Sequence, residues 1–115
     1  MDRTKARPGR PAAQGRGAGA DAMTVVTLRL DLRFNPCGSA REARRQVGAI
    51  AEKLHRHFNV SAAGAEGEGG HDQAVLLIAA AGRTRKEARE VLDRVADALT
   101  AHPRTEILAH AITEV

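Results

Sequence analysis

The sequence predicts a single α+β domain in which the elements follow in the order strand, helix, strand, strand, helix, strand. Three observations indicate this order. Apolar residues recur at every second position in the segments that begin near Thr24 and Glu106, as in a strand covered on one face. They recur at every third or fourth position in two intervening segments, as in an amphipathic helix. Each helical segment follows the motif S/T-x-x-E, which is typical of a helix N-terminus.

The first strand and the first helix are joined by a short turn. The strand begins at Thr24, and its apolar face consists of Val26, Leu28, Leu30, Leu32 and Phe34. Ser39 and Glu42 form the first S-x-x-E motif, in which the serine hydroxyl accepts a hydrogen bond from a backbone N–H of the first helical turn. We therefore predict a helix from about Ala40 to His57. Its apolar stripe consists of Ala43, Val47, Ile50, Leu54 and Phe58.

The second and third strands are predicted to form a hairpin. The apolar period changes from about 3.6 to 2 after Phe58, which marks the start of a strand near Val60. The tract AEGEGGH after Gly64 suits a hairpin connection, because glycine tolerates the backbone of tight turns. Residues 73–81 are apolar on both faces, which indicates an interior strand. Its outward side is predicted to carry Val75, Leu77 and Ala79.

The second helix and the last strand repeat the pattern of the first half. Thr84 and Glu87 form the second S/T-x-x-E motif, and the helix is predicted to end at His102, before Pro103. The last strand is predicted to turn one set of residues to one face and a second set to the other: Leu108, His110 and Ile112, against Ile107, Ala109 and Ala111. Two split units of this kind close as a ferredoxin-like βαββαβ sandwich. This fold has a four-stranded antiparallel sheet with both helices on one face.

Composition and charge restrict the class of protein. Residues 1–22 carry five basic and two acidic residues, with no large apolar residue between the two methionines that bound them. We therefore predict a disordered basic extension at 1–22 and one domain at 23–115. Either the extension contacts phosphates, or it is a solvated tail and Met23 is the true start. One cysteine allows no internal disulfide, and no apolar run approaches the length of about 18 residues that spans a bilayer, so we expect a cytoplasmic protein outside the membrane.

The runs FNPCGSAREARRQVGAIAEKLHRHFNVSAA, AVLLIAA and HPRTEILAHAITEV resemble the YlxP-like family, a small bacterial family of unassigned function. The resemblance covers nearly all of residues 24–115. Members typically carry Ser-Leu-Lys-Glu-Lys-Arg at the start of the first helix and Arg-Phe-Asn-Val-Ser-Val-Ala-Glu where that helix meets the second strand. The residues that match in kind are Ser39, Arg41, Glu42, Arg44, Phe58, Asn59, Val60, Ser61 and Ala63. Ala40 and Ala43 depart from the first pattern, and Gly64 stands where the family usually has Glu.

The resemblance implies a ferredoxin-like fold, which agrees with the fold derived from the residues. Family members are often encoded near factors for transcription termination, translation initiation and ribosome maturation. The resemblance therefore implies an RNA or ribosomal partner.

The basic side of the first helix is the candidate surface for RNA. A helical wheel places its basic residues toward solvent or on the flanks of that side: Arg41, Arg44, Arg45, Lys53 and Arg56. Glu52 alone interrupts this side. Such a surface can hold several phosphates of structured RNA, and a solvated helix face is the alternative interpretation.

The open face of the sheet is a second candidate surface. It carries no aromatic ring, so stacking of single-stranded bases there is not expected. Val75 and Leu77 are predicted to form an exposed apolar pair on this face. They indicate a homodimer contact, another protein partner or a small-ligand pocket, and the sequence leaves a monomer and a homodimer equally open.

No motif indicates an enzyme, a metal site or a cofactor. The five histidines lack the spacing of a known metal site, and nothing places a base beside Cys37. The carboxylates Glu66, Glu68 and Asp72 fall in a flexible tract, which is a poor position for a catalytic pair. We therefore expect a non-enzymatic accessory module that contacts RNA or the ribosome. The alternative is an interaction or regulatory module that uses the open sheet face.

Overall fold

The structure is a computed structural model that describes residues 23–115, so the predicted disordered extension at 1–22 lies outside the described residues. The elements are β1 (Thr24–Phe34), α1 (Ala40–His57), β2 (Val60–Glu66), β3 (Gln73–Gly82), α2 (Arg85–Thr100) and β4 (Thr105–Glu114). The strands form one antiparallel sheet in the order β2-β3-β1-β4. Helix α1 packs over β2 and β3, and α2 packs over β3 and β1 and also contacts β4. The predicted ferredoxin-like fold is confirmed.

The core lies between the helices and one face of the sheet. All five residues of the predicted apolar face of β1 are at most 3% exposed, as are the matching β3 residues Leu76 and Ile78. The helices contribute Ala43, Val47, Ile50, Ala51, Leu54, Ala88, Leu92, Val95 and Leu99. Phe58 is half-buried and packs against this core at the end of α1. The predicted inward stripes of both helices therefore cover the sheet.

Both predicted capping motifs form at the helix N-termini. The Ser39 hydroxyl accepts the Glu42 N–H at 3.1 Å, and the Glu42 carboxylate accepts the Gly38 N–H at 3.0 Å. At α2, the Thr84 hydroxyl accepts the Glu87 N–H at 3.1 Å, and the Glu87 carboxylate accepts a backbone N–H just before the cap at 2.9 Å. Because each motif satisfies two donors, both helices begin where the sequence predicts. Helix α2 ends at Thr100, two residues earlier than predicted.

Strand β4 departs from the predicted alternation. Its pairing with β1 shifts register between Asp31 and Leu32, which leaves Leu108 as the extra residue of a β-bulge. As a result Ile107 lies on the helix side of the sheet with Ile112, whereas Leu108 lies on the open side. The prediction that Leu108 shares a face with Ile112 is wrong, because strict alternation assumes a ladder without a bulge.

The prediction that Val75 is exposed is also wrong, since its side chain is 5% exposed. Val75 does lie on the open face, between Asp31 of β1 and Ala65 of β2. It is close to the β2–β3 connection, which folds back so tightly that a Cβ at Gly67 would lie 2.8 Å from the backbone of Gln73. Val75 is therefore covered by the neighbouring residues of β1 and β2 and by the β2–β3 connection, although strand alternation alone predicts that it faces solvent.

Candidate functional site

Four basic residues of α1 form one exposed ridge, three on the side away from the sheet and one on the flank toward α2. They are Arg41, Arg45, Lys53 and Arg56, here called the α1 ridge. Arg41 and Arg45 are four residues apart, and Arg56 follows Lys53 by three, so each pair lies on neighbouring turns of one helix face. At a rise of about 1.5 Å per residue, the ridge spans roughly 22 Å of rigid helix.

The α1 ridge is not neutralised within residues 23–115, because none of its four side chains forms an ion pair there. Other arginines do have acidic partners in the same part of the chain. Arg29 pairs with Asp31 at 3.2 Å, Arg33 pairs with Glu106 at 3.4 Å, and Arg85 pairs with Glu114 at 2.9 Å. Helix α1 has five basic and two acidic side chains, whereas α2 has four of each. The positive charge of the described domain is therefore concentrated on α1.

Arg44 is separated from the other predicted RNA-contact residues. Its guanidinium donates to the carboxylate of Glu66 and forms an ion pair that links α1 to β2. This pair arises because α1 lies directly over β2 in the fold. Arg44 therefore contributes to the joint between helix and sheet, and its charge is already matched.

The two acidic residues of α1 have different surroundings. Glu42 is held at the helix N-terminus by the Gly38 N–H. Glu52 is exposed beside the α1 ridge and forms no ion pair within the described part of the chain. Glu52 is thus the acidic side chain that weakens the positive potential of the ridge most directly.

A groove between the C-terminal ends of the two helices adjoins the ridge at Lys53. It has a volume of about 310 Å³, and its apolar wall includes Leu54, Phe58 and Leu99. His57 and His102 line it together with Lys53. Periodicity identified Phe58 as the end of the α1 stripe, but it did not show that the end of α2 lies opposite. The groove was therefore missed by sequence reasoning, since it depends on how the helices pack together.

The joint between α1 and β2 is held by a second polar contact. His55 donates from Nε2 to the carbonyl oxygen of Ala62 at 3.0 Å. Because a carbonyl oxygen only accepts, Nε2 carries the proton in this contact. His55 is therefore directed toward β2 and does not extend the α1 ridge.

The open face of the sheet has one exposed large apolar residue at its centre. Leu77 is 43% exposed, and it lies in a shallow depression of about 430 Å³ whose other lining includes Ala63, Ala79 and Thr27. Because Val75 is buried, the predicted apolar pair is reduced to Leu77 alone. Arg29 and Asp31 form an ion pair next to this depression.

The part of the chain that the structure describes offers neither a metal-binding cluster nor a membrane-spanning helix. No three His, Cys, Asp or Glu side chains in this range gather closely enough to hold a metal ion. No helix in this range is both long and apolar enough to cross a membrane.

Comparisons with known proteins give a similar solved structure and a matching family model. Among solved structures, the de novo designed protein Foldit4 is similar over 80% of this chain and 97% of its own, with 14% sequence identity and a TM-score of 0.43. No curated protein matches the chain. The family model described as "Protein of unknown function (DUF503)" matches residues 25–112, which include all six elements of the fold except the ends of β1 and β4. The chain therefore belongs to the DUF503 family.

Proposed function

We propose that this protein binds structured RNA through the α1 ridge, as a cytoplasmic accessory module in translation or ribosome assembly. The observation that carries the proposal is the set of four exposed basic side chains on α1 that have no ion-pair partner within residues 23–115. The resemblance to the YlxP-like family supports the same partner, because its members are often encoded near translation and ribosome-maturation factors.

The energetic argument rests on counterion release. Each RNA phosphate that a lysine or arginine neutralises frees a condensed cation, and this lowers the slope of log affinity against log salt by about 0.7 to 0.9. Four contacts from the α1 ridge then give a slope near −3. A rise in salt from about 50 to 200 mM weakens binding roughly 60-fold on this basis.

The shape of the ridge favours recognition of a folded RNA backbone. Three of its four residues are arginines, whose planar guanidinium donates two parallel hydrogen bonds to a phosphate. The wide, shallow minor groove of an RNA helix is recognised mainly through its phosphates and 2′-hydroxyls. A helix with exposed arginines suits that surface, and it provides no aromatic platform for unpaired bases. We also propose that the module acts without catalysis, since the ridge offers positive charge and hydrogen-bond donors for phosphate but no nucleophile paired with a base.

The test is binding of the full chain to an RNA hairpin and to purified ribosomal subunits at two salt concentrations. Arg41→Glu combined with Arg45→Glu should weaken binding at least tenfold. The matched control is Lys86→Glu combined with Arg94→Glu on α2, which makes the same change in net charge on exposed residues of the other helix. We expect the control to change affinity less than about threefold. Equal losses from both pairs would show that binding depends on net charge alone and would contradict the proposal.

A second candidate function is an interaction or small-ligand-binding module that uses the open sheet face. The exposure of Leu77 in an apolar depression favours this candidate. Leu77→Lys distinguishes the two, because it adds a positive charge without touching α1. If the α1 ridge is the functional surface, Leu77→Lys should leave RNA binding intact. If the open sheet face is the functional surface, the same change should abolish binding of the protein or ligand that uses this face.

A further inference from the structure

The exposed apolar residues of the described domain are concentrated at one strand. Of the five large apolar residues exposed in residues 23–115, three lie in β4 or directly after it. These are Leu108 at 37%, Ile112 at 38% and Val115 at 82% exposure. The other two are Met23, directly before β1, and Leu77 in β3.

β4 is an edge strand whose outer backbone groups have no partner within residues 23–115. It pairs only with β1, and the Val115 N–H donates to the Val25 carbonyl at 2.8 Å. The backbone N–H and C=O groups of successive residues in a strand point to opposite sides. Because those of Val115 point toward β1, the groups of Glu114, Ile112 and His110 point outward, away from β1. Unpaired groups in such a row form a template for another strand.

The opposite edge of the sheet is better protected. β2 has seven residues against ten in β4, and α1 lies over it. Two α1 side chains hold β2 directly: His55 donates to Ala62, and Arg44 pairs with Glu66. β4 is covered less: α2 lies mainly over β3 and β1, reaches β4 through the Arg85–Glu114 ion pair, and leaves a groove of about 360 Å³ beside β4. Apolar side chains of that groove include Leu30, Leu92 and Ile112.

The sequence of β4 is suited to pairing with itself. In TEILAHAITE, alanines flank His110 on both sides, and large apolar residues flank the alanines. Antiparallel pairing centred on His110 therefore brings Ala109 of one copy against Ala111 of the other, a small residue against a small residue. β4 also lacks lysine and proline, two devices that commonly block the association of edge strands.

We propose that two copies of this chain associate by antiparallel pairing of their β4 strands around residues 110–112. A two-fold axis perpendicular to the sheet joins the two sheets into one of eight strands. The axis keeps all four helices on the same face, and the two grooves beside β4 meet at the interface. With strands about 4.8 Å apart, the two α1 ridges then lie roughly 30 Å apart on that face. The dimer itself does not depend on RNA binding.

The first test locates the two-fold axis with single cysteines in the full chain. His110→Cys, Ala111→Cys and Ile112→Cys are each placed in a background in which Cys37→Ser removes the native thiol. Antiparallel pairing centred on this segment puts one of the three positions opposite itself, with Cα atoms about 4.5 to 5.5 Å apart, which suits a disulfide. That variant should form a covalent dimer under mild oxidation, whereas Leu77→Cys on the open face and Ser61→Cys on β2 should not.

The second test measures mass in solution. The full chain should sediment at twice its monomer mass of 12.2 kDa. Ile112→Lys should raise the dimer dissociation constant at least tenfold, because a charged edge side chain blocks strand pairing. Ile112 is partly exposed, so this variant should keep its fold, which circular dichroism checks. Leu77→Lys is the matched control and should remain dimeric. A monomeric full chain, or cross-linking only through Leu77→Cys or Ser61→Cys, would overturn the proposal.

Discussion

Gly64 gives the sharpest stability prediction, because a Cβ at this exposed position would collide with a buried side chain of α1. Gly64 lies in β2 opposite Leu76, on the face that α1 covers. A Cβ at this position would lie 2.6 Å from Cγ1 of Val47, whereas ordinary contacts begin at 3.4 Å. Val47 is 1% exposed, and a valine in a helix has one strongly preferred rotamer, so it cannot easily turn away. Gly64→Ala therefore requires α1 and β2 to separate by several tenths of an ångström or more.

The expected magnitude follows from two opposing effects. Overpacking a close-packed core costs about 1 to 3 kcal/mol, whereas replacing glycine in a strand gains about 0.5 to 1 kcal/mol in backbone entropy. We expect Gly64→Ala to lower the free energy of unfolding by about 0.5 to 2 kcal/mol on balance. Val47→Ala alone should cost about 2 kcal/mol, because it removes two buried methyl groups and leaves a cavity.

The assay is urea denaturation of both single variants and the double variant. Because Val47→Ala removes the atom that a new Cβ would strike, the double variant should be more stable than the sum of the single effects by about 1 kcal/mol or more. Additive effects would refute the reasoning, as would a Gly64→Ala protein more stable than the parent.

Two further predictions concern the helices. Ser39→Ala and Thr84→Ala should each lower the free energy of unfolding by about 1 kcal/mol, measured by urea denaturation, because each leaves a helix N–H without its side-chain acceptor; no loss at either site would contradict the observed caps. Glu52→Gln should tighten binding to an RNA hairpin about two- to threefold, since it removes the acidic charge beside the α1 ridge. Arg44→Gln should change that affinity less than Arg45→Gln, because Glu66 already matches Arg44; equal effects would place Arg44 in the binding surface.

The elements that sequence predicted well are those set by local interactions. The period of β1, the two capping motifs and the apolar stripes of both helices each depend on residues within a few positions of one another. The positive side of α1 was predicted for the same reason, because helical periodicity alone gathers Arg41, Arg45 and Arg56 on one side. The order of these elements was then enough to predict the ferredoxin-like fold, since few arrangements bury both helix stripes on one sheet.

The properties that only the tertiary structure decided depend on residues distant in sequence. Val75 is buried by neighbouring strands and by the turn before β3, and the bulge at Leu108 appears only when β4 pairs with β1. The pairing of Arg44 with Glu66 follows from the placement of α1 over β2. The unpaired outer backbone of β4 likewise follows from its place at the end of the strand order. Sequence periodicity tells which side of an element is apolar, but only packing determines which neighbour covers that side and which side is left open.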